Sequence, residues 1–487
     1  MPIVMYQPRY LSERNCGYCH GSKPDHFALE SQKTAQEEGN DSHSQSVILG
    51  TSVLSMTCND YDELINMGFR RSGTFLYKPD LLRTCCRQYT IRTRFDCLKI
   101  TKEHRKVINR FTKEICPELS VPNEPKKGVA FDFSKLIIAQ QKSTRFKTRF
   151  EPSQFSQEKY QLYRKYQINV HGDKPEEVEE SSFRRFLCDT PFSESEVIGN
   201  QQQFDFIQDW VKNWNPETNN NSDSSKRIGP THELYYLDDK LIAFSVLDFL
   251  PSGISSIYFV WDPDYAHLSL GTLSGLKEIQ MCHELNLGYY YLGYYIDDCA
   301  KMKYKAKFGG EVLDVCNEIY FPMDMIKPHM NNGRLFVIAD QEEEEMKPTE
   351  HELELSNDGY PIDYNVSPFY QHELTNIAET IYTNLNVKQE ARKADTLLRV
   401  RYKVARVSES SHNIPHIVPG IIPLTQILSW FKAGIINNTF SVRIFDSYHN
   451  VTDNFTLRDL TGEGRAIVID CIRLFGLEKV RNGLIVI

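Results

Sequence analysis

A chain of 487 residues has room for two or three domains, because single hydrophobic cores stop growing well before this length. With 40% hydrophobic and 12% aromatic residues it can bury a sizeable core, while a mean hydropathy of -0.46 and the lack of any long apolar run exclude a membrane span. The net charge of -9 is unevenly spread: residues 176–180 and 342–354 are acidic runs, whereas residues 70–113 carry thirteen Lys/Arg against only Asp80, Asp96 and Glu103.

Residues 1–10 have neither the apolar stretch of a secretory signal nor the Arg/Ser-rich character of a transit peptide, so the expected compartment is the cytoplasm, with the nucleus also open. There the twelve cysteines stay reduced, and a cluster among them points to metal binding or chemistry before disulfides. Polar stretches at residues 30–46, 175–182, 213–226 and 340–358 interrupt the apolar periodicity. The third, rich in Asn and Ser, reads as a flexible loop. The chain divides accordingly into a cysteine-rich domain (1–120), a central domain (121–335), and an acidic linker with a C-terminal extension (336–487).

In chain order, Asn59 is placed to cap a helix whose Tyr61, Leu64 and Ile65 share a face, with Gly68 at its end. Tyr89, Ile91, Thr93 and Phe95 alternate with Thr90, Arg92 and Arg94, the pattern of a half-buried strand with a basic outer face. Thr101 opens a helix with Val107, Ile108, Phe111 and Ile115 on its apolar side. Residues 234–237 and 241–247 are strand-like and joined by the hairpin turn Asp238-Asp239-Lys240; residues 254–261 follow after Pro251-Ser252-Gly253, giving an antiparallel meander. Gly271 precedes a helix with Leu273, Leu276, Ile279 and Leu285 inward. A strand at 289–296, a Lys-rich helical segment at 302–308 and a strand at 318–321 complete the central part. Three strands, helix, strand, helix, strand is the order of the GNAT acyltransferase core, although several α+β folds use the same elements. Beyond residue 373, helix-like and strand-like segments recur at 424–431 and 465–475.

Cys16-Gly17-Tyr18-Cys19 is a CxxC, and Cys85-Cys86 supplies a second close pair. Four thiolates in two short clusters can surround one zinc ion or an iron-sulfur cluster. His20 and His26 are possible substitute ligands. The other cysteines lack paired spacing and read as core residues.

Gly68-Phe69-Arg70-Arg71-Ser72-Gly73, Tyr77-Lys78-Pro79 and Cys85-Cys86-Arg87-Gln88-Tyr89-Thr90-Ile91-Arg92 together resemble the N-terminal domain of eukaryotic arginyl-tRNA-protein transferases. Leu250-Pro251, Ser255-Ser256-Ile257-Tyr258, Asp262-Pro263-Asp264-Tyr265, Leu268-Ser269-Leu270-Gly271, Tyr290-Tyr291-Leu292-Gly293-Tyr294-Tyr295-Ile296 and Lys301-Met302-Lys303-Tyr304-Lys305 are similar, in the same order, to that family's C-terminal domain. The likeness spans about residues 10–115 and 145–325. Departures are Phe69 for the usual Trp, Arg87 where Pro is common, Asp297-Asp298 for a His-Ser-like pair, and Ala300 for Pro.

The resemblance implies an α+β chain with a GNAT-like aminoacyl-transferase core, a cysteine-rich metal-binding N-terminal domain and a C-terminal extension. It implies transfer of arginine from Arg-tRNA to the α-amine of proteins beginning with Asp or Glu, or oxidised Cys, marking them for ubiquitin-dependent degradation. It favours an iron-sulfur cluster over zinc on Cys16, Cys19, Cys85 and Cys86, and implies ubiquitin-ligase components as partners, with no membrane. An acceptor carboxylate calls for a cation, and Arg70, Arg71, Ser72, Lys78 and Arg87 are the candidates. Asp248, Tyr294 and Tyr295 are the candidate catalytic residues; Asp248 and Asp264 are also suited to an acidic pocket for the donated arginine. For tRNA, Leu268, Ser269 and Gly271 stand at a helix N-terminus, Tyr291 is a stacking candidate, and Lys301, Lys303 and Lys305 are phosphate candidates. Two alternatives stay open on the sequence: an acetyl-CoA-dependent N-acetyltransferase, disfavoured by the single glycine in residues 265–271, and a non-enzymatic metal-binding adaptor.

Overall fold

The computed structural model describes residues 2–13, 16–21, 23, 46–119, 133–215, 226–339, 374–447 and 449–487. His26, most of the polar stretches at 30–46 and 213–226, and the acidic stretch at 340–358 lie outside the described residues.

Alternating buried positions build two large mixed sheets. The first runs Val451–Thr456, Ser441–Asp446, Leu484–Val486, Val4–Tyr6, Ser46–Ser55, Phe75–Pro79, Arg70–Ser72, with Arg9–Glu13 also paired to Ser46–Ser55. Leu484–Val486 lies between Val4–Tyr6 and Ser441–Asp446 and is parallel to both, so the two ends of the chain meet in one sheet. The second runs Ile319–Pro322, Glu311–Asp314, Tyr89–Thr93, Tyr289–Tyr295, Gly253–Trp261, Lys240–Leu250, Gly229–Leu237, Phe146–Pro152. Segments 1–120 and 336–487 thus share the first sheet, and Tyr89–Thr93 stands inside the second.

The meander forms antiparallel, and Asp238 and Asp239 both take positive φ (50° and 59°) at its hairpin. On one face of the second sheet, helix Gln157–Tyr166 packs Leu162 and Tyr163 against Leu234, Phe244 and Val246. Helix Leu270–Glu284 covers the opposite face with Leu273, Leu276 and Ile279 buried.

Two local expectations change. The helix Cys58–Asn66 is capped by Thr57, because its hydroxyl accepts from the Asp60 N–H while the Asp60 carboxylate accepts from the Thr57 N–H; Asn59 lies inside the helix. Tyr89–Thr93 is buried along its whole length and lies inside the sheet, paired with a strand on either side. Its Arg92 is not an outer cation: the guanidinium sits between the Tyr289 and Tyr320 rings (3.7 and 3.6 Å to the centroids) and pairs with Glu311 at 3.1 Å. The helix Lys102–Ile115 is capped by Thr101 with the expected apolar face inward.

Under helix Leu270–Glu284, the fully buried Glu278 accepts from Ser245 and Tyr290, and Lys277 pairs with Glu233. Burial, with the Glu233 charge nearby, pushes the Glu278 carboxyl up to about 7 from 4.5. Between those values the unfolded chain has released this proton and the folded chain has kept it, so this group makes stability fall as pH rises. Relative to a Glu278→Gln variant, the wild type should lose on the order of 3 kcal/mol between pH 4.5 and 7. Urea unfolding of both proteins across that range checks it; a pH-independent difference refutes it.

Candidate functional site

The parallel strands Gly253–Trp261 and Tyr289–Tyr295 pair only over Gly253–Ser255 and Tyr289–Tyr291. Their contact there is tight enough to demand glycine: a Cβ on Gly253, at φ +156°, would lie 1.9 Å from the Tyr289 carbonyl oxygen. Farther along the pairing stops. Gly293 takes a left-handed φ of +73°, and the register against Tyr89–Thr93 shifts between Tyr291 and Tyr294, the mark of a bulge. An opening therefore lies between two parallel strands in the middle of a sheet, a place where backbone groups and small side chains can reach a bound ligand.

A pocket of 240 Å³ stands at the first turn of helix Leu270–Glu284, lined by Trp261, Ala266, Ser269, Leu270, Gly271, Thr272 and Tyr304. The first-turn N–H groups of a helix have no preceding turn to bond, which makes such an end attractive to phosphate or to developing negative charge. Ser269 takes φ +53°, and its hydroxyl accepts from Arg110 Nη2 at 2.7 Å. Of the expected tRNA-binding residues, Ser269 and Gly271 line this pocket, whereas Leu268 is buried behind it. Lys301 and Lys303 are exposed; Lys305 turns inward and donates to the Tyr294 carbonyl at 2.8 Å.

The remaining expected residues separate by burial. Arg71 and Asp248 form a buried two-point ion pair, Nε to Oδ2 at 2.7 Å and Nη2 to Oδ1 at 2.5 Å, joining the first sheet to the second. That pairing corrects both expectations: Arg71 is neutralised before any acceptor arrives, and Asp248 is closed to the donor's guanidinium. Lys78 is buried and donates to the Met67 and Gly420 carbonyls, and Arg87 is buried and donates to those of Leu81 and Gly333, so both bind backbone rather than face solvent. Ser72 is half-buried in the strand beside Phe75. Asp264 is exposed and shares Lys165 with Asp262.

Tyr291 is buried with its hydroxyl donating to Asn66 at 3.0 Å, so it has no open face on which to stack a base. The Tyr294 hydroxyl donates to the Gly68 carbonyl at 3.0 Å and that of Tyr295 to Asp297 at 2.6 Å; both side chains hold the strand in place. Arg70 is buried as well, but its partners are carbonyl oxygens, those of Phe69 at 2.7 Å, Gly293 at 3.3 Å and Ile65 at 3.4 Å. The sequence reading missed Arg110 and Gly293. A lone glycine in a tyrosine-rich strand was the available signal for a bulge.

The sulfurs of Cys16, Cys19, Cys85 and Cys86 lie within 4.8 Å of one another, three of these residues are buried, and all four are free thiols. Neighbouring thiols at Cys85 and Cys86 hold the Cys16 thiol far below its ordinary value. Such a donor set fits one tetrahedral soft metal ion or a small cluster, and these four residues would hold it. Ile296, Cys299 and Met302 pack against the thiols, and Lys23 spans the group, donating to the Cys85 carbonyl at 3.1 Å and pairing with Asp298 at 2.6 Å. The segment just after strand Tyr289–Tyr295 is therefore braced by the cysteines.

Comparison with known proteins bears on the same regions. Residues 14–106 match the family model described as "Arginine-tRNA-protein transferase, N terminus", and residues 158–314 match that described as "Arginine-tRNA-protein transferase, C terminus". The chain is 39% identical to arginyl-tRNA--protein transferase 1 of Saccharomyces cerevisiae over 99% of its own length and 98% of that protein's. It is 35% identical to arginyl-tRNA--protein transferase 1 of Arabidopsis thaliana over 50% of this chain and 38% of that one. With an aspartate/glutamate leucyltransferase of Campylobacter jejuni it shares 42% identity over 18% of this chain and 36% of that one.

Two outcomes follow from the site. Asp248→Asn leaves the Arg71 charge buried without its counter-charge and should cost about 3–5 kcal/mol in urea unfolding, whereas the paired change Arg71→Met with Asp248→Leu should cost less. An equal or larger loss in the paired variant would contradict this. Cys85→Ser with Cys86→Ser should abolish the stoichiometric metal of anaerobically purified protein, and Cys471→Ser, alone in the C-terminal core, should keep it; elemental analysis distinguishes them.

Proposed function

Because the chain belongs to the arginyl-tRNA-protein transferase family and is a transferase that moves arginine from tRNA to proteins, we propose that its acceptors are polypeptides beginning with Asp or Glu. The observation that carries this reading is the opening beside Gly293, where two parallel strands stop pairing and the buried Arg70 and half-buried Lys305 donate to the Gly293 and Tyr294 carbonyls. The Campylobacter relative, named for aspartate and glutamate, supports the same acceptor class. Membership in this family sets aside both the acetyltransferase and the adaptor alternatives.

The reaction is aminolysis of the ester between arginine and the tRNA 3' end. The neutral α-amine attacks the ester carbonyl, a C–N bond forms, the C–O bond breaks, and the amine's proton passes through solvent to the leaving ribose oxygen. An N-terminal amine titrates at about 7.7–8.0, so a useful fraction is neutral at physiological pH. Positioning is therefore the larger contribution: near-attack geometry supplies roughly 7–11 kcal/mol, against about 10²- to 10⁴-fold from a general base. We place the tRNA 3' end at the pocket of Ser269, Gly271 and Tyr304, with Lys301 and Lys303 toward the acceptor-stem phosphates. The second sheet then works as a GNAT-like core, the strand gap presenting backbone groups to the oxyanion.

When bound at Cys16, Cys19, Cys85 and Cys86, an iron-sulfur cluster, or zinc in its place, would cross-link the N-terminal loop to the Cys85-Cys86 segment, against which Ile296 and Cys299 pack, and a cluster would add redox sensitivity. Arginylation of acidic N-termini in the cytoplasm, or in the nucleus, would mark these proteins for ubiquitin-ligase components and degradation.

Labelled arginine from charged tRNA should pass to a peptide beginning with Asp and not to the same peptide beginning with Ala. Equal transfer to both would refute the acceptor specificity while leaving arginine transfer intact.

A further inference from the structure

Several buried cations have an internal counter-charge: Arg71 has Asp248, Arg92 has Glu311, Lys159 has Glu151 and Lys277 has Glu233. Arg70 and Lys305, like Lys78, are held by carbonyl oxygens instead, but of the three only these two meet at Gly293 and Tyr294. Arg70 is 4% exposed, hydrogen-bonds only carbonyl oxygens, and its Nε has no partner. Lys305 Nζ donates to the carbonyl of Tyr294, the residue after the one whose carbonyl receives Arg70. Among the described residues, neither side chain has a carboxylate at ion-pairing distance.

Both cations therefore converge on the Gly293 bulge. A Cβ built on Gly293 would find Lys305 Nζ at 3.7 Å and the Ser256 carbonyl oxygen at 3.9 Å, so the side of this glycine that lacks a side chain is bordered by Lys305 and the opposite strand. Burial and the adjacent Arg70 charge bring the Lys305 ammonium down to about 7. Two like charges held together without a counter-ion are unfavourable unless an anion completes the site.

We propose that Arg70 and Lys305, meeting at the Gly293 bulge, form the subsite that binds the side-chain carboxylate of the acceptor's first residue. This rests on the arginyl-transfer reading and names its specificity residues. The carboxylate of an N-terminal Asp or Glu is one side chain away from the α-amine, so its subsite must adjoin the gap in which the ester lies. Arg70 is fixed by carbonyls and gives direction, whereas the flexible Lys305 stem accommodates the extra methylene of Glu. A tRNA phosphate suits the position less, because its flanking nucleosides need an open surface and the exposed Lys301 and Lys303 already provide one.

The test measures arginine transfer from charged tRNA to peptides identical except for an N-terminal Asp or its neutral isostere Asn, with wild type, Lys305→Gln, Lys305→Arg and Arg70→Gln. Peptide affinity without tRNA and charged-tRNA affinity are measured alongside. Lys305→Gln should shrink the Asp-over-Asn preference in kcat/KM by about 10-fold or more, mainly through KM, the scale of one charge-assisted hydrogen bond. Asp-peptide binding should weaken, tRNA affinity should hold, and Lys305→Arg should recover part of the preference. If Arg70→Gln fails to fold, the half-buried Lys305 decides alone. An unchanged Asp-over-Asn ratio, an equal fall in kcat for both peptides, or a loss confined to tRNA affinity overturns the proposal. Wild type that arginylates neither peptide would instead overturn the arginyl-transfer reading.

Discussion

The architecture depends on one constraint, that strand Tyr289–Tyr295 cannot pair along its length with Gly253–Trp261. Its first three residues approach so closely that the facing position must be glycine, and Gly293 then adopts a left-handed conformation that turns the strand out of register. A sheet edge opened in this way exposes backbone N–H and C=O groups that must find partners. Arg70 and Lys305 take two of the carbonyls, and the pocket at the first turn of helix Leu270–Glu284 borders Trp261, at the end of the unpaired strand, and Tyr304, next to Lys305. A break in hydrogen bonding thus becomes a place for chemistry.

Each part of the chain braces this opening from a different direction. Tyr89–Thr93 supplies the strand on the far side and follows directly on the Cys85-Cys86 pair. The thiol cluster packs against Ile296, Cys299 and Met302, the stretch between the opened strand and Lys305. Arg71 ties the first sheet to the second through Asp248, beside the residue that reaches Gly293. The C-terminal extension closes the first sheet with Leu484–Val486 and receives the buried Lys78 at the Gly420 carbonyl. Nothing in its sequence announced that role, because a three-residue strand gains its pairing from partners distant in the chain, Ser441–Asp446 on one side and Val4–Tyr6, from the opposite end of the chain, on the other.

Much was legible because it is local. The hairpin at Asp238-Asp239, the capped helix after Thr101, the apolar face of Leu270–Glu284 and the CxxC with its distant cysteine pair are set by spacing and side-chain chemistry over a few residues. Errors fell where polar residues are buried. Arg71, Lys78 and Arg87 read as cations for an acceptor carboxylate and Arg92 as part of an outward basic face because cations are rarely buried, yet each found a carboxylate, a carbonyl or an aromatic face inside. Tyr291 and Tyr295 likewise read as ligand contacts and serve as buried hydrogen-bond donors.

The sequence by itself determined the family, the order of the main elements and the four cysteines, since ordered blocks of local motif survive without knowledge of which strands meet. Only the tertiary structure decided which charged groups neutralise one another and which remain to meet a ligand. The physical reason is that an ion pair depends on distance and burial, and Arg70 and Arg71, adjacent in sequence, alternate to opposite sides of one strand: one meets Asp248, the other the open carbonyl of Gly293.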